Sequence, residues 1–229
     1  MTGSPAGVQD VIDRLRDIDG SLPADDGAAV FNRMYLEVTE RVAEGLRGSH
    51  TFHDDAFMAH LDVAFASLWL TAYDAAQAGQ DVPKAWAPLF ERRATPGLLP
   101  VQFALAGMNA HIEHDLPLAV IATCRARRTS PDRPGVHADY EAVNGLLAAA
   151  EAQIRRSFLS EAGRLVDRRV GHVVHLVSSW DIDKARDLAW VNVEALWTMR
   201  PVPRLYRRYS DALARTVGMT SRCLLTPCL

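Results

Sequence analysis

Residues 100–124 read PVQFALAGMNAHIEHDLPLAVIATC, the most apolar stretch of the chain, with Asn109, His111, Glu113, His114 and Asp115 at its middle. A run of this length and composition reads as a core helix. Burying such groups costs several kcal/mol unless they find partners, so a core helix that keeps five of them points to a site. At about 100° per residue, Gly107, His111, His114 and Leu118 share one face. Asp115 borders that face one turn after His111. Asn109 points away, toward packing or a backbone contact, and Glu113 lies off the histidine face. Gly107 leaves room for a neighbouring helix or a ligand. Pro117 removes one backbone donor and clashes with the carbonyl of Glu113, so a kink or a freed carbonyl is expected beside the cluster.

Three chemistries fit two imidazoles and a carboxylate at this spacing. The side chains can point at one cation, and imidazole with carboxylate suits zinc or non-haem iron. They can serve as a general acid/base pair with an orienting carboxylate. They can also be a hydrogen-bonded knot that keeps core helices in register.

Working outward, the chain reads as helix after helix. Val11, Ile12, Leu15 and Ile18 form a stripe over 8–18, and Val30, Phe31, Met34, Val38, Val42 and Leu46 a longer one over 28–46. The helix opened by His53-Asp54-Asp55 runs to about Ala78, with the acidic pair placed for capping. Asp62 sits in its middle among Leu61, Val63, Phe65 and Ala66, where a carboxylate needs a partner. His60 is expected at the surface. Trp86, Leu89 and Phe90 turn inward from a short helix over 84–93. After Cys124 comes a basic, Pro-rich loop. The helix from Val136 to about Phe158 puts Asp139, Val143 and Leu146 on one stripe and Tyr140, Asn144 and Leu147 on the next. Asp139 is then either a first-turn carboxylate or a fourth ligand to the site, while His137 is exposed. His172 and His175 form a second pair within an irregular or helical 161–177. Ser178 and Asp181 are spaced like a capping box for a helix carrying Arg186, Trp190 and Trp197, and Arg186 could pair with Asp62 or Asp139. A final helix runs from Arg204 to Val217, and the apolar tail after it packs down.

The expected fold is therefore all-α, one helical domain of seven or eight helices around the 100–124 helix, with residues 1–7 as a flexible start. Composition narrows the partners. The 229 residues carry a net charge of −3, with 25 Lys and Arg against 28 Asp and Glu, which argues against nucleic acid. The N-terminus has no basic region followed by an apolar run, so no signal peptide is read. The 100–124 stretch is long enough to span a bilayer, but His, Glu and Asp at its centre argue against that. Three cysteines without metal-type spacing fit a reducing cytoplasm. Few lysines and abundant arginine and alanine suggest a high-GC genome.

FNRMYLEVTE, HLDVAFASLWL, VQFALAGMNAHIEHDLPLAV, DYEAVNGLL and SSWDIDKARDLAW together resemble an uncharacterised actinobacterial family, a domain of unknown function, with NAHIxHDL as its most specific piece. The resemblance covers nearly the whole chain and implies a complete domain without an assigned activity. A second likeness is to the zinc-dependent all-α phospholipase C and single-strand nuclease group, whose core helix offers His-x-x-x-Asp as His111 and Asp115 do here. This chain lacks that group's N-terminal Trp ligand and its HxxxE ending.

Three functions follow. The first is a metal-dependent enzyme of specialised metabolism, a zinc hydrolase or an iron oxidant, with His111, His114 and Asp115 as ligands and Asp139 or Asp62 completing the set. The second is a metal-free acid/base enzyme (a cyclase, isomerase or lyase) or a binder for an apolar metabolite. There His111 or His114 with Asp115 moves a proton, Asp62 and Tyr140 join the catalytic set, and Trp69, Trp180 and Trp190 help line the pocket. The third is a non-catalytic helical module. The expected partner is a small molecule, with a homodimer left open.

Overall fold

The computed structural model describes residues 7–47, 52–145, 156 and 181–227, and among them all regular structure is helical. The apolar stripes dictate the elements. α1 (Val8–Ser21) buries Val11, Ile12, Leu15 and Ile18, the four residues of its stripe. It packs on α2 (Gly27–Arg47), and α3 (Asp55–Gln77) lies across both. Asn32 of α2 ties the three together. It donates to the carbonyl of Leu15 at 2.8 Å and accepts from the Trp69 indole of α3 at 3.1 Å. α3 starts where the acidic pair predicts, with the Asp54 carboxylate accepting from Phe57 N at 2.8 Å.

After the short α4 (Ala87–Arg92) the 100–124 stretch forms a continuous helical rod in three parts: α5 (Pro100–Met108), a π-helical segment (Asn109–Asp115) and α6 (Leu116–Ala126). Leu116 N bonds back to the carbonyl of His111, five residues earlier. This wider turn answers the expected clash at Pro117. It makes the proline a first-turn residue of a new α-helix, where a missing N–H costs little. Gly107 sits just before it. A Cβ there would stand 2.3 Å from the Phe31 ring, so the glycine admits α2 rather than a ligand.

α7 spans 134–145, α8 is Ile182–Met199 and α9 is Pro203–Leu224. α8 is capped by Asp181, whose side chain accepts from Lys184 N at 3.1 Å. α9 runs seven residues further than its periodicity suggests. Arg92 and Gln102 donate to the carbonyls of Leu224, Leu225 and Thr226, and these bonds draw the tail onto α4 and α5. Leu225 is fully buried, as the apolar tail predicts.

The core has two apolar clusters. One gathers α1, α2, α3, α4 and α5 around Phe31, Trp69 and Trp86. The other gathers α3, α6, α7 and α8 around Phe57, Leu61, Ile121, Tyr140 and Leu196. Phe65 and Ile112 pack against both, so the π-segment lies at the seam between them. Among the described residues one helix, α3, is long and apolar enough to cross a membrane. Here it packs against α1, α2 and α6. Residues 1–6, Leu146, Leu147, the 161–177 stretch with His172 and His175, Ser178, Trp180 and Cys228 fall outside the described residues.

Candidate functional site

The π-segment gathers its polar side chains around one carboxylate. Asp115 is 1% exposed. Its Oδ2 accepts from His111 Nδ1 at 3.0 Å and from the Trp86 indole at 2.8 Å, and its Oδ1 accepts from His114 Nδ1 at 2.7 Å. Burial pushes the Asp115 carboxyl up, yet the bonds from the two imidazoles outweigh this and hold it below the usual carboxylate range. His111 moves the other way: burial lowers its pKa and favours the neutral ring. The neutral ring that donates from Nδ1 keeps a lone pair on Nε2, and that atom is buried without a partner. Asn109 turns away as predicted, donating to Val217 O at 3.0 Å and to the Ser221 hydroxyl at 2.9 Å on α9. Glu113, on the other side of the segment, is half-buried, and burial raises it to about 7.

Aromatic rings enclose His111. Phe65 stacks flat on it at 3.6 Å between centroids, Tyr35 meets it edge-on at 4.5 Å, and Phe31 and Trp86 close the remaining sides at 5.8 Å. Phe65 and Tyr35 have a second surface. Together with Val38, Thr39, Val42, Met58, Leu61, Asp62, Leu116, Tyr140, Val143 and Arg186 they line a half-open cleft. The His–Asp–His trio thus lies behind the cleft wall.

The cleft is apolar except where a few polar groups converge, and two of these are buried without partners. The Asp62 Oδ2 is buried without a hydrogen bond, and burial raises the carboxyl from 3.8 to about 7. The Tyr35 hydroxyl is likewise buried without a partner. Burial lifts its pKa well above the ordinary value, the Asp62 and Asp115 charges add to the rise, and Thr39 opposes it. At the far side Arg186 reaches from α8 to α7. It bonds Asn144 Oδ1 and the carbonyl of Tyr140, and its guanidinium lies 4.1 Å over the Tyr140 ring. The Tyr140 hydroxyl returns a 2.7 Å bond to Arg186 O.

The structure therefore divides the residues singled out in the sequence. His111, His114 and Asp115 come together in one network, and Asp62 and Tyr140 come together in the cleft beside it. Asp139 stands apart from both. Its two oxygens accept from His53 N at 2.6 Å, His53 Nδ1 at 2.8 Å and Asp54 N at 2.9 Å. It serves the start of α3 rather than its own helix or a ligand set. Arg186 pairs with neither Asp62 nor Asp139, Trp69 is a core residue bonded to Asn32, and Trp190 packs on His137 and Tyr140. His60 and His137 are exposed as predicted. For zinc or iron these residues leave the Nε2 atoms of the two rings, since both Nδ1 atoms and both Asp115 oxygens are already engaged. Among the described residues no three His, Cys, Asp or Glu side chains converge as a ligand group.

Tyr35, Thr39 and Phe65 were not singled out from the sequence as site residues. Their signal was present but weak: Tyr35, Val38, Thr39 and Val42 recur at helical spacing on α2, with two hydroxyls in an otherwise apolar face.

The chain matches the family described as "Family of unknown function (DUF5995)" over residues 8–227, and it belongs to that family. No curated protein and no solved structure matches it.

Proposed function

We propose that this member of the family is a small-molecule enzyme that carries out general acid–base chemistry on an apolar substrate in the cleft. The observation that carries the reading is Asp62, a partly buried carboxyl on the cleft wall whose Oδ2 is enclosed without a partner and which burial raises to about 7. A group with that pKa can both give and take a proton near neutrality, which is the requirement for efficient proton transfer. Structural carboxylates in a protein interior are normally bonded, and the unbonded, perturbed ones gather at functional sites. The Tyr35 phenol stays protonated and offers a hydrogen-bond donor to an oxygen of the substrate. Tyr140 closes the opposite wall. His111, His114 and Asp115 act here as positioning residues, fixing Phe65 and Tyr35 from behind.

Isomerisation, elimination and cyclisation each need one such acid/base group in a dry apolar pocket. The test uses proton transfer itself as the readout. Purified protein is incubated in D2O with a small-molecule extract of the cells that encode it, and the extract is followed by mass spectrometry beside an Asp62→Asn control. The reading expects one or a few apolar compounds to gain deuterium or be converted by the native protein, with a rate lower by about 100- to 10,000-fold in the variant. An extract that the native protein leaves unchanged, or a change that survives in Asp62→Asn, overturns it.

A further inference from the structure

The cleft holds one permanent cation as well as its acid. Arg186 is 5% exposed and lines the same wall system as Asp62. A guanidinium does not discharge at any physiological pH, so its burial must be offset by partners. The partners it has are neutral: the Asn144 side-chain oxygen, the Tyr140 carbonyl and the Tyr140 ring face. These bonds use Nε and Nη2, and among the described residues Nη1 has none. No carboxylate lies within ion-pair distance among the described residues, and Glu141, Asp183 and Asp187 act on it from further away. An arginine held over an aromatic ring, with one edge fixed by carbonyl oxygens and Nη1 left free, offers the fork that binds a carboxylate.

We propose that the substrate is an amphipathic organic acid whose carboxylate pairs with the free edge of Arg186 while its apolar body lies along Val38, Val42, Met58 and Leu61. This deepens the acid–base reading, because it names the class of molecule that the same cleft takes. The rest of the lining agrees with it. The cleft wall is mostly hydrocarbon, so a chain or ring system placed there buries apolar surface against it. Asp62 does not repel such an anion when protonated, and in that form it donates a hydrogen bond to the ligand.

The experiment compares two probes with the same eight-carbon body and different headgroups, octanoate with a carboxylate and 1-octanol with a hydroxyl, by calorimetric titration of the full chain at pH 6. The proposal expects octanoate to bind at least about tenfold more tightly than the alcohol, since a buried charge-assisted fork is worth that much or more. In Arg186→Gln the preference should vanish while octanol still binds. Arg186→Lys, with a thermal melt on each variant, keeps the test open if Gln disturbs the α7–α8 packing. The lysine should retain part of the preference. Equal binding of the two probes to the native chain, or a preference that persists in Arg186→Gln, overturns the carboxylate assignment and leaves the acid–base cleft standing. Binding of neither probe overturns both.

Discussion

Two polar sites share the seam of this molecule, and they are built on opposite rules. Around Asp115 the hydrogen bonds are filled: both carboxylate oxygens are taken, three donors from two elements converge on them, and one buried atom, His111 Nε2, is left over. Around Asp62 they are left open: a carboxylate oxygen and a phenol are buried without partners, and a guanidinium has no carboxylate beside it among the described residues. A saturated network rigidifies a core, whereas an unsaturated one in a cleft costs stability and is tolerated where a ligand completes it. On the proposed acid–base reading, the histidine-rich motif is not the reacting centre. Here it reads as the footing on which a less conspicuous cleft stands.

The two sites also titrate in opposite directions. Burial holds the folded pKa of His111 below 6.5, so the unfolded chain binds more protons there and the knot loses stability as pH falls through 6.5. Burial lifts Asp62 from 3.8 to about 7, so the folded chain binds more protons and stability falls as pH rises across that window. Each site has its own substitution test, taken here from the largest effect to the smallest.

Asp115→Ala removes the shared acceptor and strands two imidazoles and an indole. The loss should be about 3–5 kcal/mol, read as a melting temperature lower by roughly 10 °C or more. A melting temperature within about a degree of native would erase the distinction between the sites. Trp86→Phe keeps an aromatic ring in this fully buried position, gives up part of the indole's volume and deletes one charge-assisted bond to Asp115. Denaturant melts should show about 1.5–3 kcal/mol lost, and an unchanged midpoint would mean that the knot does not depend on its indole. Asp62→Asn should do the reverse. At pH 8 the native carboxylate is charged in an apolar wall, so the amide should raise the melting temperature by a few degrees, with little change at pH 5. A lower melting temperature at both pH values would place Asp62 with the structural groups. Tyr35→Phe deletes a hydroxyl that has no partner, so stability should stay within about 0.5 kcal/mol while octanoate or substrate binding weakens. A large loss of stability would reveal a bond that the open-site description omits.

Much of the fold was legible because it is local. Apolar stripes located α1, α2 and α3 to within a few residues, the acidic pair at 54–55 announced the start of α3, and Pro117 announced a disturbed turn beside the histidines. The mutual bonding of His111 and Asp115 followed from their four-residue spacing. What failed to show was non-local. Asp139 fell on the inward stripe of its own helix, yet its partners are two backbone N–H groups and the His53 ring, 85 and 86 residues away, and no periodicity encodes that. Trp86 looked like packing, and its bond to Asp115 spans 29 residues. The cleft eluded the sequence for the same reason. It takes four residues each from α2 and α3, two from α7 and one each from α6 and α8, and it exists only where these five helices meet.

The central claim is that Asp62 keeps its proton to near-neutral pH in an apolar cleft. A titration of the side-chain carboxyls by carbon-13 NMR, with Asp62→Asn to assign the resonance, reads this directly. The account predicts a midpoint near 7 for Asp62 that is absent from the variant. A midpoint near 4 would mean that water or an unseen partner already satisfies this carboxylate, and it would contradict the account.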